Sequence, residues 1–338
     1  MAKPADTLAI VDTLALVALN LGGPDSPDAV EPFLRNLFAD PDVIQLGPLL
    51  RPVQPLIAHF IARRRAPLSR AAYAQIGGRS PILGESTDQA KAIAAELVRR
   101  GHPTLPFVAM ACWKPFSADA VESIRAAGIH HAIAVPLFPH YSITTTGSSF
   151  KALDRAAGGT SVQLARVQSY PDADGYIEAL CDRVNEAIAT LPEEHRASAP
   201  IIFSAHGLPE SYIRKGDPYL DEIRATVGAA TRRLGIKGRE RLAFQSRLGR
   251  QKWLGPYTDE VLRELATAGE RAVVVCPVAF TGEHIETLQE IDILYREQAQ
   301  KQGIVHFARA RTVGTHPAFI RALADLAEGA ARAKGWVH

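Results

Sequence analysis

One imidazole and four carboxylates are crowded into a short segment that begins as an apolar run. The segment is CPVAFTGEHIETLQEID (276–292), and its titratable side chains are Glu283, His284, Glu286, Glu290 and Asp292. Glu286 and Glu290 are four residues apart, so on a regular helix they are neighbours that repel by roughly a few tenths of a kcal/mol. A solvated helix face tolerates that repulsion. The alternative is a row of carboxylates that leads a cation inward, and a π-type widening of the helix would align the step of four more closely.

A second histidine, His206, follows another apolar run in IIFSAHGLPESY (201–212). A lone histidine usually has a structural role. However, His206 follows one predicted strand, and His284 and Glu286 follow another in the same half of the chain. The carboxyl ends of parallel strands meet at one edge of a sheet. An imidazole and a carboxylate from neighbouring loops can act there as an acid–base pair or as ligands of a divalent metal.

Eight short apolar runs alternate with longer amphipathic segments, which is typical of βα units around parallel sheets. The predicted strands are Leu14–Asn20, Leu105–Ala111, His131–Leu137, Val162–Val167, Pro200–Ala205, Leu242–Ser246, Ala272–Pro277 and Ile304–Ala308. They form two sets of four, because the similar phrases ESIRAAGIHHAIAVP and RELATAGERAVVVCP lead into the third strand of each set. The sequence therefore predicts an α/β fold built from a duplicated unit.

The first half is longer than the second, mainly because of the segment 40–79. This segment is rich in proline and places apolar residues such as Leu56 and Phe60 close to Arg63, Arg64 and Arg65. Such a pattern suits a surface that dips into anionic lipid, or one that clasps a flat apolar ligand with acidic substituents. An ordinary amphipathic helix packed on the core explains the pattern equally well.

Composition excludes several classes of protein. The 338 residues are 47% apolar, and 38 basic and 36 acidic residues leave a net charge of +2, so we expect a globular protein without a nucleic-acid partner. The three cysteines are far apart and form no CxxC pair, which favours a reducing cytoplasm over a disulfide framework. We see no signal-peptide pattern, no run of about 18 apolar residues and no GxGxxG motif, so we predict neither secretion, nor a membrane span, nor a dinucleotide.

Six motifs resemble those of the ferrochelatases, lyases that insert Fe(II) into a porphyrin to make haem. The motifs are LNLGGPDSPDAVEPFLRNLF (19–38), YAQIGGRSPI (73–82), PHYSITTTGSS (139–149), SAHGLPESYIRKGDPY (204–219), FQSRLGRQKWLGPYTDE (244–260) and CPVAFTGEHIETLQEID (276–292). They are long and independent, and they cover nearly the whole chain from Leu14 onward.

The resemblance implies two similar Rossmann-like domains, each a four-stranded parallel sheet flanked by helices, with a porphyrin cleft between them. Residues 1–13 would be an N-terminal tail. The first domain would be 14–168, with an apolar lip at 40–79, and a C-terminal helix within 315–338 would complete it. The second domain, 169–314, would carry His206 and Glu286.

The resemblance also implies roles for individual residues. A free-base porphyrin loses two pyrrole protons as the metal enters, so His206 is the expected proton acceptor and a candidate iron ligand. Glu286 would hold Fe(II) or relay protons, since a hard oxygen donor binds this ion without trapping it. Residues behind this pair or along an acidic path would be Glu283, His284 and Glu290. The expected porphyrin contacts are Leu21, Arg65, Tyr73, Ser80, Phe138, Tyr141 and Trp253, with Arg65 and Ser80 at the propionates.

The first turn bears on the choice of porphyrin. Members that act on coproporphyrin resemble the pattern Ala-Tyr-Gly-Thr-Pro there, whereas this chain has Asn-Leu-Gly-Gly-Pro at 20–24. An apolar Leu21, where a tyrosine could ligate the metal, indicates protoporphyrin IX. Many members carry Met-Arg-Tyr-Trp-His-Pro where this chain has Met-Ala-Cys-Trp-Lys-Pro at 110–115, which removes one expected propionate contact. No cysteine follows Cys276, so we expect no 2Fe–2S cluster and no permanently bound cofactor, with Fe(II) only as a substrate.

The expected function is insertion of Fe(II) into protoporphyrin IX to form protohaem, the terminal step of haem biosynthesis. The alternatives are a chelatase that acts on coproporphyrin or inserts another ion into a tetrapyrrole, and a porphyrin or haem carrier without turnover. The presence of both His206 and Glu286 favours an enzyme, because a carrier needs no base beneath the ring. We expect a cytoplasmic protein that contacts the inner membrane peripherally through the lip.

Overall fold

The computed structural model describes residues 13–44, 50–249 and 251–337. In these residues eight strands form two separate, entirely parallel sheets. The strands are β1 (Leu14–Asn20), β2 (Thr104–Met110), β3 (His131–Pro136), β4 (Gln163–Arg166), β5 (Ile201–His206), β6 (Glu240–Gln245), β7 (Ala272–Pro277) and β8 (His306–Arg309). The strand orders are β2-β1-β3-β4 and β6-β5-β7-β8. All eight predicted strands and the predicted fold class are therefore confirmed, with strand ends that differ by one or two residues.

Helices flank both sheets. The helices of the described residues are α1 (Val30–Ala39), α2 (Gln54–Ala74), α3 (Ile82–Arg99), α4 (Ser117–Ala126), α5 (Ser148–Ala157), α6 (Asp174–Ala189), α7 (Glu193–Arg196), α8 (Glu210–Arg214), α9 (Tyr219–Leu234), α10 (Thr258–Thr267), α11 (Arg296–Lys301) and α12 (Pro317–Arg332). A short 3-10 turn covers Arg51–Val53, and π-helical segments cover Ile143–Gly147 and Glu286–Tyr295.

The two halves repeat the same local devices. The central strands β1 and β5 have equivalent partners, since Asn20 pairs with Met110 at the end of the first sheet and His206 pairs with Gln245 at the end of the second. Strands β1 and β7 are buried at every position, as expected for parallel strands covered on both faces. A π-helical segment follows the third strand of each sheet. These matches confirm the duplicated unit that the sequence predicts.

The largest apolar core lies between the two sheets and is shared by them. It includes Leu16 of β1, Phe203 of β5 and Phe319 of α12, which are all fully buried. The outward face of each sheet has a smaller core of its own. Helix α12 packs against α3, α6 and β3, and beyond it Trp336 stacks on His131 with ring centroids 4.5 Å apart. The C-terminal helix therefore joins elements of both halves.

Helix α2 occupies most of the predicted lip, of which residues 45–49 lie outside the described residues. Its face toward α1 is lined by the buried alanines Ala58, Ala62 and Ala66. Its opposite face leaves large apolar side chains in solvent, including Phe60 at 63% exposure and Leu68 at 77%. This arrangement reverses that of an ordinary amphipathic surface helix, whose large apolar residues face the core. None of the helices in the described parts of the chain is long and apolar enough to cross a membrane.

Candidate active site

His206 is the last residue of β5, which is one of the two inner strands of the second sheet. Its ring Nδ1 lies 2.7 Å from the carbonyl oxygen of Gly207. A carbonyl oxygen only accepts hydrogen bonds, so Nδ1 carries the proton of the neutral ring and Nε2 keeps its lone pair. The ring is half-buried. His206 can therefore accept a proton or coordinate a metal through Nε2.

Neighbouring aromatic residues fix the position of His206. The phenol of Tyr219 donates a hydrogen bond of 2.9 Å to the His206 carbonyl oxygen. The Trp253 ring lies 6.4 Å from the imidazole between centroids, and its indole N–H donates to the Leu248 carbonyl at 2.8 Å. A Cβ atom at Gly207 would lie 3.2 Å from the Trp253 ring, so the glycine permits this close packing. Trp253 thus packs beside His206, and its contact with a bound ring remains a prediction.

Glu286 begins the π-helical segment that follows β7, and it forms a hydrogen-bonded ion pair with Nδ1 of His284. The His284 ring also hydrogen-bonds the backbone of Gly22 in the first half. Burial opposes the charged form of both groups, but their mutual attraction raises the pKa of His284 and lowers the pKa of Glu286. His206 lowers the pKa of Glu286 further when its own ring is protonated, so these two predicted catalytic residues lie within electrostatic reach of each other.

Glu290 lies four residues after Glu286 in the same π-helical segment and accepts hydrogen bonds from neutral donors. It accepts hydrogen bonds from the Gln245 side chain at 3.0 Å, the Ser246 N–H at 2.9 Å, the Ser246 hydroxyl and the Tyr295 phenol at 2.9 Å. Ser246 adopts a left-handed φ of 64°, which is unfavourable for a residue with a side chain and lets both of its donors face Glu290. No described basic side chain pairs with Glu290. Its negative charge therefore remains available to a cation.

The other two carboxylates of the segment are paired with arginine. Arg309 binds Glu283 at 2.9 and 3.0 Å, and its Nε lies 3.3 Å from Asp292. Asp292 also pairs with Arg296. The four acidic side chains thus divide into a row without an arginine partner among the described residues, Glu286 and Glu290, and a pair neutralised by arginine, Glu283 and Asp292. Glu283, which the sequence places behind the metal or along an acidic path, is here part of an ion pair that fixes the loop.

Two predicted porphyrin contacts of the first half lie next to this acidic segment. Leu21 is half-buried in an apolar cluster that includes Trp113 and Ile285. Tyr73 of α2 is buried in the same cluster, and burial together with the charge of Glu286 raises its pKa. Residues of both halves therefore meet at Glu286.

The remaining predicted contacts have no described hydrogen bond or ion pair with His206 or Glu286. Ser80 is buried against Gly23, and its hydroxyl accepts a hydrogen bond from the N–H of Ile82 at the start of α3. The guanidinium of Arg65 lies 6.0 Å from the ring centroid of Phe38. Phe138 and Tyr141 are half-buried in the loop after β3, where the Tyr141 N–H donates to Glu222 at 2.6 Å. Their contacts with a porphyrin remain predictions.

Sequence reasoning missed two residues of the site. Trp113 packs beside Gly22, and its indole nitrogen is buried without a hydrogen-bond partner in the described structure. Gln245 links β6 to the acidic segment through its side-chain amide. A register argument could have found Gln245, because it pairs with His206 across predicted strands. Of the residues that depart from the family pattern at 111–114, Cys112 is buried and Lys114 is exposed.

Comparison with known structures supports the fold. The chain resembles SirB from Bacillus subtilis, described with Fe3+, with a TM-score of 0.55 and 13% identity over 96% of this chain and 98% of that one. A second structure, the sirohydrochlorin chelatase SirB of Bacillus subtilis subspecies spizizenii in complex with cobalt, matches with a TM-score of 0.52 and 12% identity over 96% of this chain and 97% of that one. At this identity the likeness shows a shared two-sheet chelatase fold.

Comparison with sequences is more specific. The family model described as Ferrochelatase matches residues 13–331. A ferrochelatase of Geotalea daltonii is 46% identical over 92% of this chain and 96% of its own length. A ferrochelatase of a Synechococcus species is 43% identical over 92% of each chain, and one of a Synechocystis species is 42% identical over 93% of this chain and 81% of its own. The chain therefore belongs to the ferrochelatase family, the lyases that insert a metal ion into a porphyrin.

Proposed function

We propose that this enzyme inserts Fe(II) into protoporphyrin IX to form protohaem, with His206 as the proton acceptor and Glu286 as the carboxylate that holds or guides the metal. The observation that carries the proposal is the electrostatic interaction between these two side chains. His206 keeps an open lone pair on Nε2, and Glu286 is favoured as an anion close to it. They extend from the neighbouring strands β5 and β7.

The charges of the reaction suit this pair. Two protons leave the pyrrole nitrogens as Fe(II) enters, so the total charge of the porphyrin core does not change. A neutral histidine is an effective acceptor near neutral pH, and each proton then passes to solvent. The anionic Glu286 and Glu290 attract the cation, and their oxygen atoms bind it weakly enough for release to the ring. His284 compensates part of this negative charge while the metal is absent.

Protoporphyrin IX is the favoured substrate because the first turn is apolar. Leu21, Trp113 and Ile285 belong to one apolar cluster, so the first turn itself offers no phenol to a metal and suits the apolar edge of a porphyrin. Coproporphyrin, with two more carboxylates, would need additional basic contacts. Ala111 and Cys112 offer none.

We also propose peripheral contact between helix α2 and the cytoplasmic face of the inner membrane. Val53, Leu56, Phe60 and Leu68 are exposed along this helix and the turn before it. The segment from 43 to 84 contains six arginines and no acidic residue, so it would be attracted to an anionic surface. Apolar side chains that project beside basic ones are typical of interfacial helices.

The chemical proposal is tested with anaerobic Fe(II) and either protoporphyrin IX or coproporphyrin III, by following the loss of free-base fluorescence. We expect metallation of both, with the higher kcat/KM for protoporphyrin IX. Faster turnover of coproporphyrin III would overturn the choice of substrate. Binding of either porphyrin without metallation would indicate a carrier and overturn the enzymatic proposal.

The membrane proposal is tested by sedimentation with vesicles that contain anionic phospholipid. Replacement of Phe60 and Leu68 by serine should weaken vesicle binding at least tenfold, since burial of each apolar side chain contributes about 1.5–3 kcal/mol. The control is Val305→Ser, which alters an apolar residue of 50% exposure in the second half and should leave binding unchanged. Equal binding by all three proteins would contradict a role for α2.

A further inference from the structure

The side-chain amide of Gln245 connects the strand of His206 with the backbone of Glu286 and the carboxylate of Glu290. Gln245 is the last residue of β6 and is 2% exposed. Its Oε1 accepts a hydrogen bond of 2.6 Å from the Ser204 hydroxyl. Its Nε2 donates to the backbone carbonyl of Glu286 at 3.1 Å and to the carboxylate of Glu290 at 3.0 Å. Both of these acceptors lack a proton to donate, so the orientation of the amide is determined.

The other contacts of Gln245 also converge on His206. Its backbone carbonyl accepts a hydrogen bond of 2.9 Å from the N–H of Gly207. Ser204 and Gly207 lie on either side of His206 in the chain, so Gln245 is bonded to the residues that flank the proposed base. The same residue is bonded to the first residue of the π-helical segment and to the carboxylate one step further along it.

We propose that Gln245 is a positioning residue that sets Glu286 and Glu290 relative to His206 and thereby governs delivery of the metal to the porphyrin. The inference rests on the proposed function of the same site. A neutral amide is the side chain that suits this place, because the network requires two donors and one acceptor and adds no charge beside Glu290. A glutamate there would repel Glu290, and an apolar residue would remove the side-chain donor to the Glu286 carbonyl and one of the four donors to Glu290.

The duplicated unit provides the natural substitution for a test. Met110 occupies the position equivalent to Gln245 in the first sheet and is 1% exposed, so this strand position accommodates an unbranched apolar side chain of similar length. We therefore choose Gln245→Met, which keeps the volume and removes the three side-chain hydrogen bonds. A milder variant, Ser204→Ala, removes only the donor that orients the amide.

The matched control removes a buried hydrogen bond of the same network away from the acidic row. Thr258 lies 2.9 Å from the Ser204 hydroxyl and is fully buried, but it has no described bond to Gln245, Glu286 or Glu290. Thr258→Val should lower the melting temperature about as much as Ser204→Ala does. It should leave the apparent KM for Fe(II) and the turnover per bound porphyrin unchanged.

The experiment measures protoporphyrin IX binding by fluorescence and then steady-state insertion over a range of Fe(II) concentrations, with rates divided by the amount of bound porphyrin. For Gln245→Met we expect unchanged porphyrin affinity, and kcat/KM for Fe(II) lower by about tenfold to a hundredfold, as for residues that orient metal ligands elsewhere. Ser204→Ala should show a smaller loss of the same kind, and it supplies the test if Gln245→Met does not fold.

Normal kcat/KM for Fe(II) in Gln245→Met or in Ser204→Ala would overturn the inference. An equal loss in Thr258→Val would also overturn it, because the effect would then follow stability and not the link to the acidic row. If the unmodified enzyme itself failed to metallate porphyrin, the proposed function would fail first, so the two failures are distinguishable.

Discussion

The segments that follow β3 and β7 occupy equivalent positions in the duplicated unit, and both include a π-helical stretch, but their chemistry is opposite. The first, residues 138–149, binds carboxylates that come from other parts of the chain. The second, residues 281–295, supplies carboxylates of its own. In the first segment this backbone arrangement joins the two halves, whereas in the second it presents carboxylates, for which a role with the metal is proposed above.

The first segment is held by acidic residues of the second half. Asp217 accepts hydrogen bonds from the Ser142 hydroxyl at 2.9 Å and the Ile143 N–H at 2.8 Å. Glu222 of α9 accepts one from the Tyr141 N–H. These contacts fix the loop that carries the predicted ring contacts Phe138 and Tyr141. The negative charges here are used for structure.

The second segment keeps two of its carboxylates free of arginine. Glu286 is paired with His284, whose ring contacts Gly22, and Glu290 is held only by neutral donors among the described residues. The last residues of the equivalent strands β1 and β5 show the same difference between a structural and an unpaired polar group in the described structure. Asn20 at the end of β1 donates to Ser86 in a buried contact, whereas His206 at the end of β5 keeps an open ring nitrogen. The two residues predicted to be catalytic, His206 and Glu286, therefore both lie in the second copy of the unit.

The largest effect is expected from removing the open imidazole. His206→Ala should lower the rate of iron insertion about 10²- to 10⁴-fold, because a positioned general base contributes on this scale. Porphyrin affinity should remain close to normal, since Trp253 and the first-half contacts are unchanged. Turnover and porphyrin binding would be measured on the same preparation. His130→Ala, an exposed histidine at the other end of the first sheet, is the control and should retain full activity. Normal turnover by His206→Ala would disprove its role as the base.

A pair of charge-removing variants tests the contrast between the two segments directly. Glu290→Gln should raise the apparent KM for Fe(II) about tenfold, because the charge is lost. It should cost less stability than Asp217→Asn, because Glu290 is only half-buried and two of its four donors are hydroxyls that can turn to accept from the new amide. Asp217→Asn should instead lower the free energy of unfolding by about 1–3 kcal/mol, because buried donors of the first segment lose their acceptor. Metal titrations of insertion and urea denaturation would be run on both.

The contrast predicts that each variant affects one measurement and not the other. A loss of stability in Glu290→Gln that matched the loss in Asp217→Asn would show that the acidic row is mainly structural. A raised KM for Fe(II) in Asp217→Asn would show that the first segment also handles the metal. Either result would break the division of roles between the two segments.

The sequence predicts the strands well because parallel strands that are buried on both faces read as continuous apolar runs, as in β1 and β7. The spacing of Glu286 and Glu290 leaves open a solvated helix face or a row on a widened helix, and the structure has a π-helical segment at Glu286–Tyr295. These features are local in the chain. Their physical causes are burial and side-chain spacing, which a single sequence displays.

The contacts that define the site are mostly long-range and could not be predicted. Glu283 looks like part of the acidic row until Arg309 is placed beside it by β8. The segment PHYSITTTGSS (139–149) gives no sign in the sequence of its partners, and the structure shows that it binds the carboxylates of Asp217 and Glu222 in the second half. The partners of Gln245 depend on strand register and on the helix that packs above it. Such pairings require the three-dimensional arrangement and not only the pattern of residue types.

The smallest expected effect concerns His140, a buried histidine of the first segment. Its Nε2 hydrogen-bonds Thr226 at 2.8 Å, and burial lowers the pKa of His140 to about 3. The unfolded chain binds a proton at this residue below the ordinary histidine pKa of about 6.5, whereas the folded chain does not. The free energy of unfolding should therefore fall as the pH falls from 6.5 toward 3, by at most about 1.4 kcal/mol per pH unit from this residue.

The variant His140→Gln keeps a donor for Thr226 and removes the titration. Urea denaturation between pH 7 and pH 5 should give it a shallower pH dependence of unfolding free energy than that of the unmodified protein. Tyr176→Phe is the control, because Tyr176 packs edge-on to His140 and its phenol does not titrate in this range. It should be less stable at every pH with an unchanged slope. If the unfolding free energy of all three proteins had the same pH dependence, His140 would take up a proton in the folded state. The first segment would then accommodate a buried charge, as the second one does.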